Sequence, residues 1–387
     1  MYTLLSERHE RETLRAYCQR GGYQSFTRAV QKTPEEIVAR IAQAQLTGRG
    51  GANYPTAAKW DAVLHGPGPH YLIVNGAEGE PGSYKDRTVM EEVPHRLLEG
   101  LLIAAHAIQA DEILIYVNDQ FATAIESLRS ALEELVASDI RTPPVPIDIL
   151  PENHVYIAGE ETALINALMG NPAKPWHKPP YPTERGFRDC PTAVNNVETL
   201  AWVSIALADP DEFQAKRPQL FSVTGAVALP GVYEVSRPVT LRDLLEEAGG
   251  ELPNNRWVAA LPGGYSMPLV SASDFDVGLS LEALGELGTG LGASLIVVGE
   301  HPGVALVAQQ ILRFFAEESC GKCPVCSRAT REFDSLWNQL LADQSVEAAN
   351  ELLRLADKHR KKGICSYLDT AARFAQNAEG WIRWQNA

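Results

Sequence analysis

The spacing of apolar residues changes character along the chain. Residues 34–44 carry apolar side chains at helical intervals, with Thr33 placed to cap and Glu35 and Glu36 in the first turn, which predicts an amphipathic helix. A continuous apolar run at 71–74, ending at Asn75, predicts a buried strand. Helix-like segments at 96–108, 121–137 and 161–169 then alternate with strand-like segments at 113–117 and 146–150. Strands alternating with helices indicate an α/β layer structure with a largely parallel sheet. A proline-rich stretch at 172–191 interrupts this pattern and reads as a long ordered loop. Beyond residue 218 the texture changes to short strands at 220–227, 231–235 and 257–260 with one helix at 240–248, a small α+β module. From 304 onward the pattern is helical, with segments at 305–318, 330–341, 346–358 and 366–382 that suggest a terminal four-helix bundle.

Charge narrows the range of partners. The formal charge is −15, from 49 acidic against 34 basic residues. Nucleic-acid binding needs a basic face to neutralise phosphates, so that class is not expected. An anionic cofactor remains compatible, because local amide groups and a few placed cations suffice to hold one. The most apolar helix-like run, 97–108, is shorter than the ~20 residues of a membrane span and is broken by Glu99, Gly100 and His106. The first residues of the chain are charged and lack the apolar core of a secretory signal, so a cytoplasmic location without direct membrane insertion is expected.

Of the six cysteines, three form Cys320-Gly321-Lys322-Cys323-Pro324-Val325-Cys326, and Cys365 stands as a fourth near the start of the last helix. A disulfide scaffold is not expected in a cytosolic protein of this size, and clustering points to metal. Thiolates are soft anionic ligands, and a cubane iron–sulfur cluster needs four of them. Structural zinc also accepts four cysteines, but its sites usually present two separated Cys-x2-Cys pairs and not a triplet plus one. Cys18 and Cys190 have no spaced partners and read as small packing thiols.

Four further segments carry polar groups at places suited to a ligand. Gly48-Arg49-Gly50-Gly51 ends a helix, and closely spaced glycines let backbone amides approach a phosphate or flat ring, with Arg49 a possible added charge. The loop from Asn75 through Glu78 and Glu80 to Gly82 follows a predicted strand, where α/β sheets bind ligands; a solvated acidic loop explains it equally well. Gly159-Glu160-Glu161-Thr162 opens a helix, whose positive end alone could account for both glutamates. Asn195-Asn196-Val197-Glu198-Thr199 begins another apolar helix; Asn is an ordinary cap there and also a suitable partner for a flavin edge.

Together and in this order, these blocks resemble the flavin- and NADH-binding, 51-kDa-type subunit of respiratory complex I, a family shared with NAD-linked formate dehydrogenases and NAD-reducing hydrogenases. The resemblance also takes in Gly21-Gly22-Tyr23, Lys85-Asp86-Arg87, Lys178-Pro179-Pro180 and Glu318-Ser319. It implies three domains: an N-terminal helical region with a Rossmann-like flavin domain over 1–215, a β-grasp domain over 216–297, and a helical domain with one 4Fe–4S cluster over 298–387. It implies FMN held by Gly48, Arg49, Gly50, Gly51, Lys59, Asn75, Glu78, Tyr156, Gly159, Glu160, Asn195 and Asn196. NAD(H) is implied at Tyr54, Glu80, Glu161, Lys178 and Tyr181, and the cluster at Cys320, Cys323, Cys326 and Cys365. The implied partners are a thioredoxin-like 2Fe–2S subunit and a larger electron-accepting or electron-donating module. Departures from the family pattern gather at the nucleotide pocket: Ala77 stands at an aspartate position, Asn53 at a glycine, and Trp176-His177 precedes Lys178. They motivate an alternative, a relay or assembly subunit that keeps the fold and cluster but has lost NADH oxidation.

Overall fold

A computed structural model describes residues 4–5 and 10–385, with side chains as far as Ile382. Strands β1 (Tyr71–Gly76), β2 (Glu112–Asn118), β3 (Ile147–Glu152) and β4 (Thr192–Asn196) form one sheet in the order β3-β2-β1-β4, parallel throughout. Alternate residues enter two cores: Leu72, Val74, Ile113 and Ile115 face one, while Tyr71, Ile73, Leu114 and Tyr116 face the other. Burial of both faces is what a parallel sheet with helical crossovers requires. Helices Pro94–Ile108 and Val197–Ala208 cover the first face in close contact. A Cβ at Gly100 would lie 1.8 Å from the Leu200 carbonyl oxygen, so only glycine permits that approach.

The sequence pattern places Asn195 and Asn196 at a helix start, and the structure corrects this in part. Both belong to β4, a five-residue strand too short to show a period of its own after the proline-rich loop. Asn196 then caps the following helix, its Oδ1 accepting from the N–H groups of Glu198 (3.0 Å) and Thr199 (3.4 Å). The register sets Asn75 beside both Tyr116 and Asn196, which brings these polar ends together at the carboxyl edge of the sheet.

The second sheet contains β5 (Gln219–Gly225), β6 (Gly231–Val235), β7 (Trp257–Leu261), β8 (Val270–Ser271) and β9 (Ser294–Gly299), ordered β6-β5-β9-β7-β8. β9 pairs parallel with β5 and antiparallel with β7, so of the two strands absent from the sequence-based expectation, β8 and β9, the longer is the central one. Helix Leu241–Glu247, opened by a Thr240/Asp243 capping box, packs Leu241, Leu244 and Leu245 into this sheet's core.

Helices Val304–Glu317, Pro324–Asp343, Val346–His359 and Tyr367–Gln385 form the C-terminal bundle. The second begins six residues before the expected position 330, because Pro324 supplies a pre-set φ at the first helical turn. Cys326 therefore rides on a helix. Among the described residues, no helix is long and apolar enough to cross a membrane.

Candidate functional site

The carboxyl edge of the parallel sheet gathers most of the polar residues singled out above. The Asn75 side-chain amide donates to the Gly159 carbonyl (2.9 Å), and its Oδ1 accepts from the Ala77 N–H (3.2 Å). Trp60 Nε1 donates to Asn195 Oδ1 (3.0 Å), fixing that amide from the far side. Gly50 lies over Asn196, where a Cβ would sit 3.4 Å from the Asn196 Cβ. The Arg49 N–H donates to Thr199 Oγ1 (2.8 Å), which locks the glycine turn onto the start of helix Val197–Ala208. The Arg49 guanidinium, however, donates to the Pro218 carbonyl (3.0 Å) and Gln219 Oε1 (3.4 Å), so its charge is spent at the entry to the second sheet.

Beneath this edge lies a buried ionic cluster. Lys85 Nζ is 2.7 Å from Asp86 Oδ1 and 3.0 Å from Glu198 Oε2, and Asn196 Nδ2 donates to Asp86 Oδ2 (2.6 Å). Burial works against the Lys85 ammonium, yet Asp86, Glu198 and Glu78 together hold its pKa above the ordinary value. Both Glu78 oxygens are engaged: they accept from Ser83 Oγ (2.9 Å) and from the N–H groups of Asp86 (2.9 Å) and Arg87 (2.8 Å), capping helix Lys85–Glu92. Burial, reinforced by Asp86, pushes the Glu78 carboxyl up to about 7. Lys85, Asp86 and Glu198 belong to the family blocks quoted above but carried no site role there. A charged triplet directly after a glycine-rich loop is the signal that could have found them.

At the rim, an ion network joins three elements. Glu161 meets Lys178 at 2.6 Å and Lys59 at 3.4 Å, Glu160 meets Lys178 at 2.9 Å, and Lys59 Nζ also donates to the Val194 carbonyl (2.7 Å). Burial opposes ionisation of Glu161, but Lys59 and Lys178 hold its carboxyl below the usual range. Glu160 also caps its helix, accepting from the N–H groups of Thr162 (2.9 Å) and Ala163 (3.0 Å). Tyr54 and Tyr181 are 54% and 51% exposed, large aromatic residues left open to solvent.

Glu80 is placed differently. Its carboxylate accepts from Tyr156 OH (2.7 Å), Ser266 Oγ (2.8 Å) and the Ser266 N–H (3.0 Å). Burial outweighs these bonds and leaves its pKa raised. The Tyr156 ring in turn packs edge-on against Phe314 (centroids 4.9 Å) and tilted against Tyr367 (5.8 Å). Glu80 thus ties the first sheet's loop to the second sheet and, through Tyr156, to the bundle. Ser266 and Tyr367 escaped the sequence reading, since neither lies in a recognisable motif.

The four cysteines line one cavity, together with Ile157, Pro175, Ser319, Gly363, Ile364, Tyr367 and Leu368. Cys326 is buried and the other three are partly exposed. Cys323 directly precedes Pro324 at the N-terminus of a 20-residue helix, whose positive end suits an anionic cluster. Tyr367 OH donates to the Phe315 carbonyl (3.0 Å), which holds the segment bearing Cys365 against the helix leading to Cys320. Burial pushes the Cys326 thiol up to about 11, and its three neighbouring cysteines act in the same direction. Among the described residues, no three His, Cys, Asp or Glu donors are arranged to hold a single ion. Four thiols on one cavity match the number that a cubane cluster requires.

The glycines offer a matching test for a flat cofactor. A Cβ at Gly159 would meet nothing within 4 Å, and its backbone is not in the left-handed region. Neither packing nor φ requires glycine there. Bare backbone facing open space, beside Asn75, fits a ring or phosphate lying against it.

Comparison with known proteins places these regions together. The Nuo51 FMN-binding domain matches residues 41–205, the SLBB domain 220–270, and the NADH-ubiquinone oxidoreductase-F iron-sulfur binding region 306–379. The second F-type subunit of NADH-quinone oxidoreductase in Rhizobium meliloti is 38% identical over 328 residues, 79% of this chain and 77% of the relative. Its Aquifex aeolicus counterpart is 36% identical over 348 residues, 86% of this chain and 80% of the relative. The NAD+-reducing [NiFe]-hydrogenase in its H2-reduced state matches with a TM-score of 0.86 at 29% identity, over 97% of this chain and 66% of that one. The chain belongs to the family of F-type NADH-quinone oxidoreductase subunits, with an FMN-binding domain and a 4Fe–4S region.

Proposed function

We propose that this chain is the component at which a larger assembly exchanges a hydride with NAD(H) and passes electrons singly to a partner. The observation that carries this reading is the turn Tyr156–Gly159. Ile157 lines the cysteine cavity, while the Gly159 carbonyl holds the Asn75 amide at the sheet edge. Two residues span at most about 7 Å, so groups seated at the two places lie within short reach of each other.

When bound, FMN exchanges hydride with a nicotinamide and single electrons with a cluster, which a nicotinamide alone cannot do. The chain's own residues position and shield. Asn75, Asn195 and Asn196 present amides to the flavin, Gly48, Gly50, Gly51 and Gly159 clear backbone for it, and Lys59 and Glu160 border it. Arg49 and Glu78 act through the loops they brace, and Tyr156 through its ring packing. Tyr54 and Tyr181 supply open faces for the nicotinamide nucleotide, and the Glu161–Lys178 pair supplies polar contacts at the rim. Glu80 reaches a nucleotide only by releasing Ser266 or Tyr156, so its role toward NADH is one of positioning. The four cysteines hold the cluster. The partners are a thioredoxin-like 2Fe–2S subunit and a larger redox module, and the assembly works in the cytoplasm, attached to a membrane only through such partners.

Anaerobic addition of NADH to the iron-loaded, flavin-loaded protein tests this. Bleaching of the flavin band is expected. An unbleached flavin beside an intact cluster signal would favour the relay reading, for which Asn53, Ala77 and Trp176 are the motive.

A further inference from the structure

Five of the eleven residues from Pro172 to Pro182 are prolines, which have no N–H to donate. Such a segment cannot tie itself down through its own backbone and needs other anchors. Among the described residues, the polar anchors of 175–180 come from Trp176 and Lys178. The Trp176 N–H donates to Thr162 Oγ1 (3.1 Å), and its indole Nε1 donates forward to the Pro180 carbonyl (3.0 Å). Lys178, midway between 176 and 180, reaches Glu161 (2.6 Å) and Glu160 (2.9 Å). Thr162 Oγ1 in turn donates to Glu160 Oε2 (2.5 Å), so the amide anchor and the lysine lead back to the same helix start. The Trp176 side chain is half-buried and packs against the core that holds Tyr71, Ile73, Leu114 and Tyr116. Tyr181 is anchored separately, its N–H donating to Glu184 Oε2 (3.0 Å).

A ring seated on a core and an indole N–H held by a carbonyl fix both ends of the span 176–180, with Lys178 at its centre. We infer that Trp176 is a positioning residue for the nicotinamide nucleotide, bracing the strap that presents Lys178 at the rim. This rests on the function proposed above. Lysine is rich in rotamers, and ordering it together with a loose strap costs entropy when a ligand arrives. A strap already braced at both ends loses less. Trp176 itself acts only through Lys178. The departure from the family pattern at 176 therefore serves nucleotide use and does not mark its loss. Pro180 is exposed, so its carbonyl regains a water when the indole donor is removed. Loss of that bond consequently loosens the strap with little effect on the stability of the fold.

The test uses the full chain loaded with flavin and cluster. Trp176→Phe removes the indole donor and keeps a ring on the core, Lys178→Met removes the ammonium, and a double variant combines the two. NAD+ affinity is measured by calorimetry, and KM and kcat for NADH are measured with ferricyanide as acceptor. Trp176→Phe is expected to weaken NAD+ binding and raise KM about three- to tenfold, with kcat held within about twofold. Its flavin content, iron content and thermal midpoint should match those of the parent chain. Lys178→Met should weaken binding further, and adding Trp176→Phe to it should change affinity little, because the indole works through the lysine. Unchanged affinity in either single variant, or full additivity in the double variant, overturns the inference. So does loss of flavin, iron or thermal stability in Trp176→Phe, which would make the ring a structural prop. A parent chain that holds flavin but neither binds NAD+ nor bleaches with NADH removes the functional reading itself. A parent that bleaches, beside a Trp176→Phe variant with parental affinity, removes only the role of Trp176.

Discussion

The edge of the parallel sheet and the cysteine cavity are built on opposite terms. At the sheet edge the charged groups already have partners: Glu78 caps a helix, Asp86 and Glu198 share Lys85, and Glu161 holds Lys178. At the cavity four thiols line one space, and burial plus the neighbouring cysteines disfavour the charged forms of Cys326 and Cys365. The first is a preformed surface that gains shape from its own salt bridges and caps. The second is a frame whose electrostatics close only when metal arrives. Preformed polar sites tolerate an absent ligand; thiolate cages do so less well.

The sharpest way to break this contrast is at Cys365. Replacing it with Ala is expected to reduce bound iron about tenfold or more, measured as iron and sulfide per chain and by the cluster's paramagnetic signal. Full iron content in that variant would mean that the cavity is not the cluster's cage. A smaller effect is expected from Glu80→Ala, which strands Tyr156 OH, Ser266 Oγ and the Ser266 N–H. It should cost about 1–3 kcal/mol in denaturant unfolding and raise the KM for NADH. A raised KM with unchanged stability would instead make Glu80 a direct nucleotide contact, as the family resemblance implies. The smallest effect is expected at Glu78, whose carboxyl is raised from 4.5 to about 7 in the fold. The unfolded chain releases this proton first as pH rises. The associated stability is therefore fully present below the ordinary carboxylate range and is lost as pH climbs through about 7. Glu78→Gln should flatten that decline between about pH 5 and about pH 8, read from denaturation midpoints. An identical slope in both proteins would show that Glu78 stays ionised in its cap.

How far each region was legible follows from how its residues are strung. The cysteine triplet is local, three ligands within seven positions, and only Cys365 had to be joined from afar. Alternating apolar runs gave the parallel sheet except β4, whose five residues follow a proline-rich loop and show no period. The central strand β9 of the second sheet carries an apolar run, Leu295-Ile296-Val297-Val298, of the same kind as that at 71–74, so it was legible and was passed over. At the sheet edge, sequence supplied the names but not the directions. Arg49 sits in a glycine turn suited to an anion, yet its guanidinium is drawn to the Pro218 carbonyl, a partner 169 positions away. Glu80 lies in a loop that invites a ligand, but it meets Ser266 across 186 positions. Long-range pairing of this kind leaves no local pattern to read.

The turn Tyr156–Gly159 borders both regions, with Ile157 against the thiols and Gly159 against Asn75. Four residues have little independent freedom, so whichever group is inserted first stiffens the seat of the other and lowers the entropy cost of its entry. Maturation should consequently be mutually reinforcing, and preparations short of iron should also come out short of flavin.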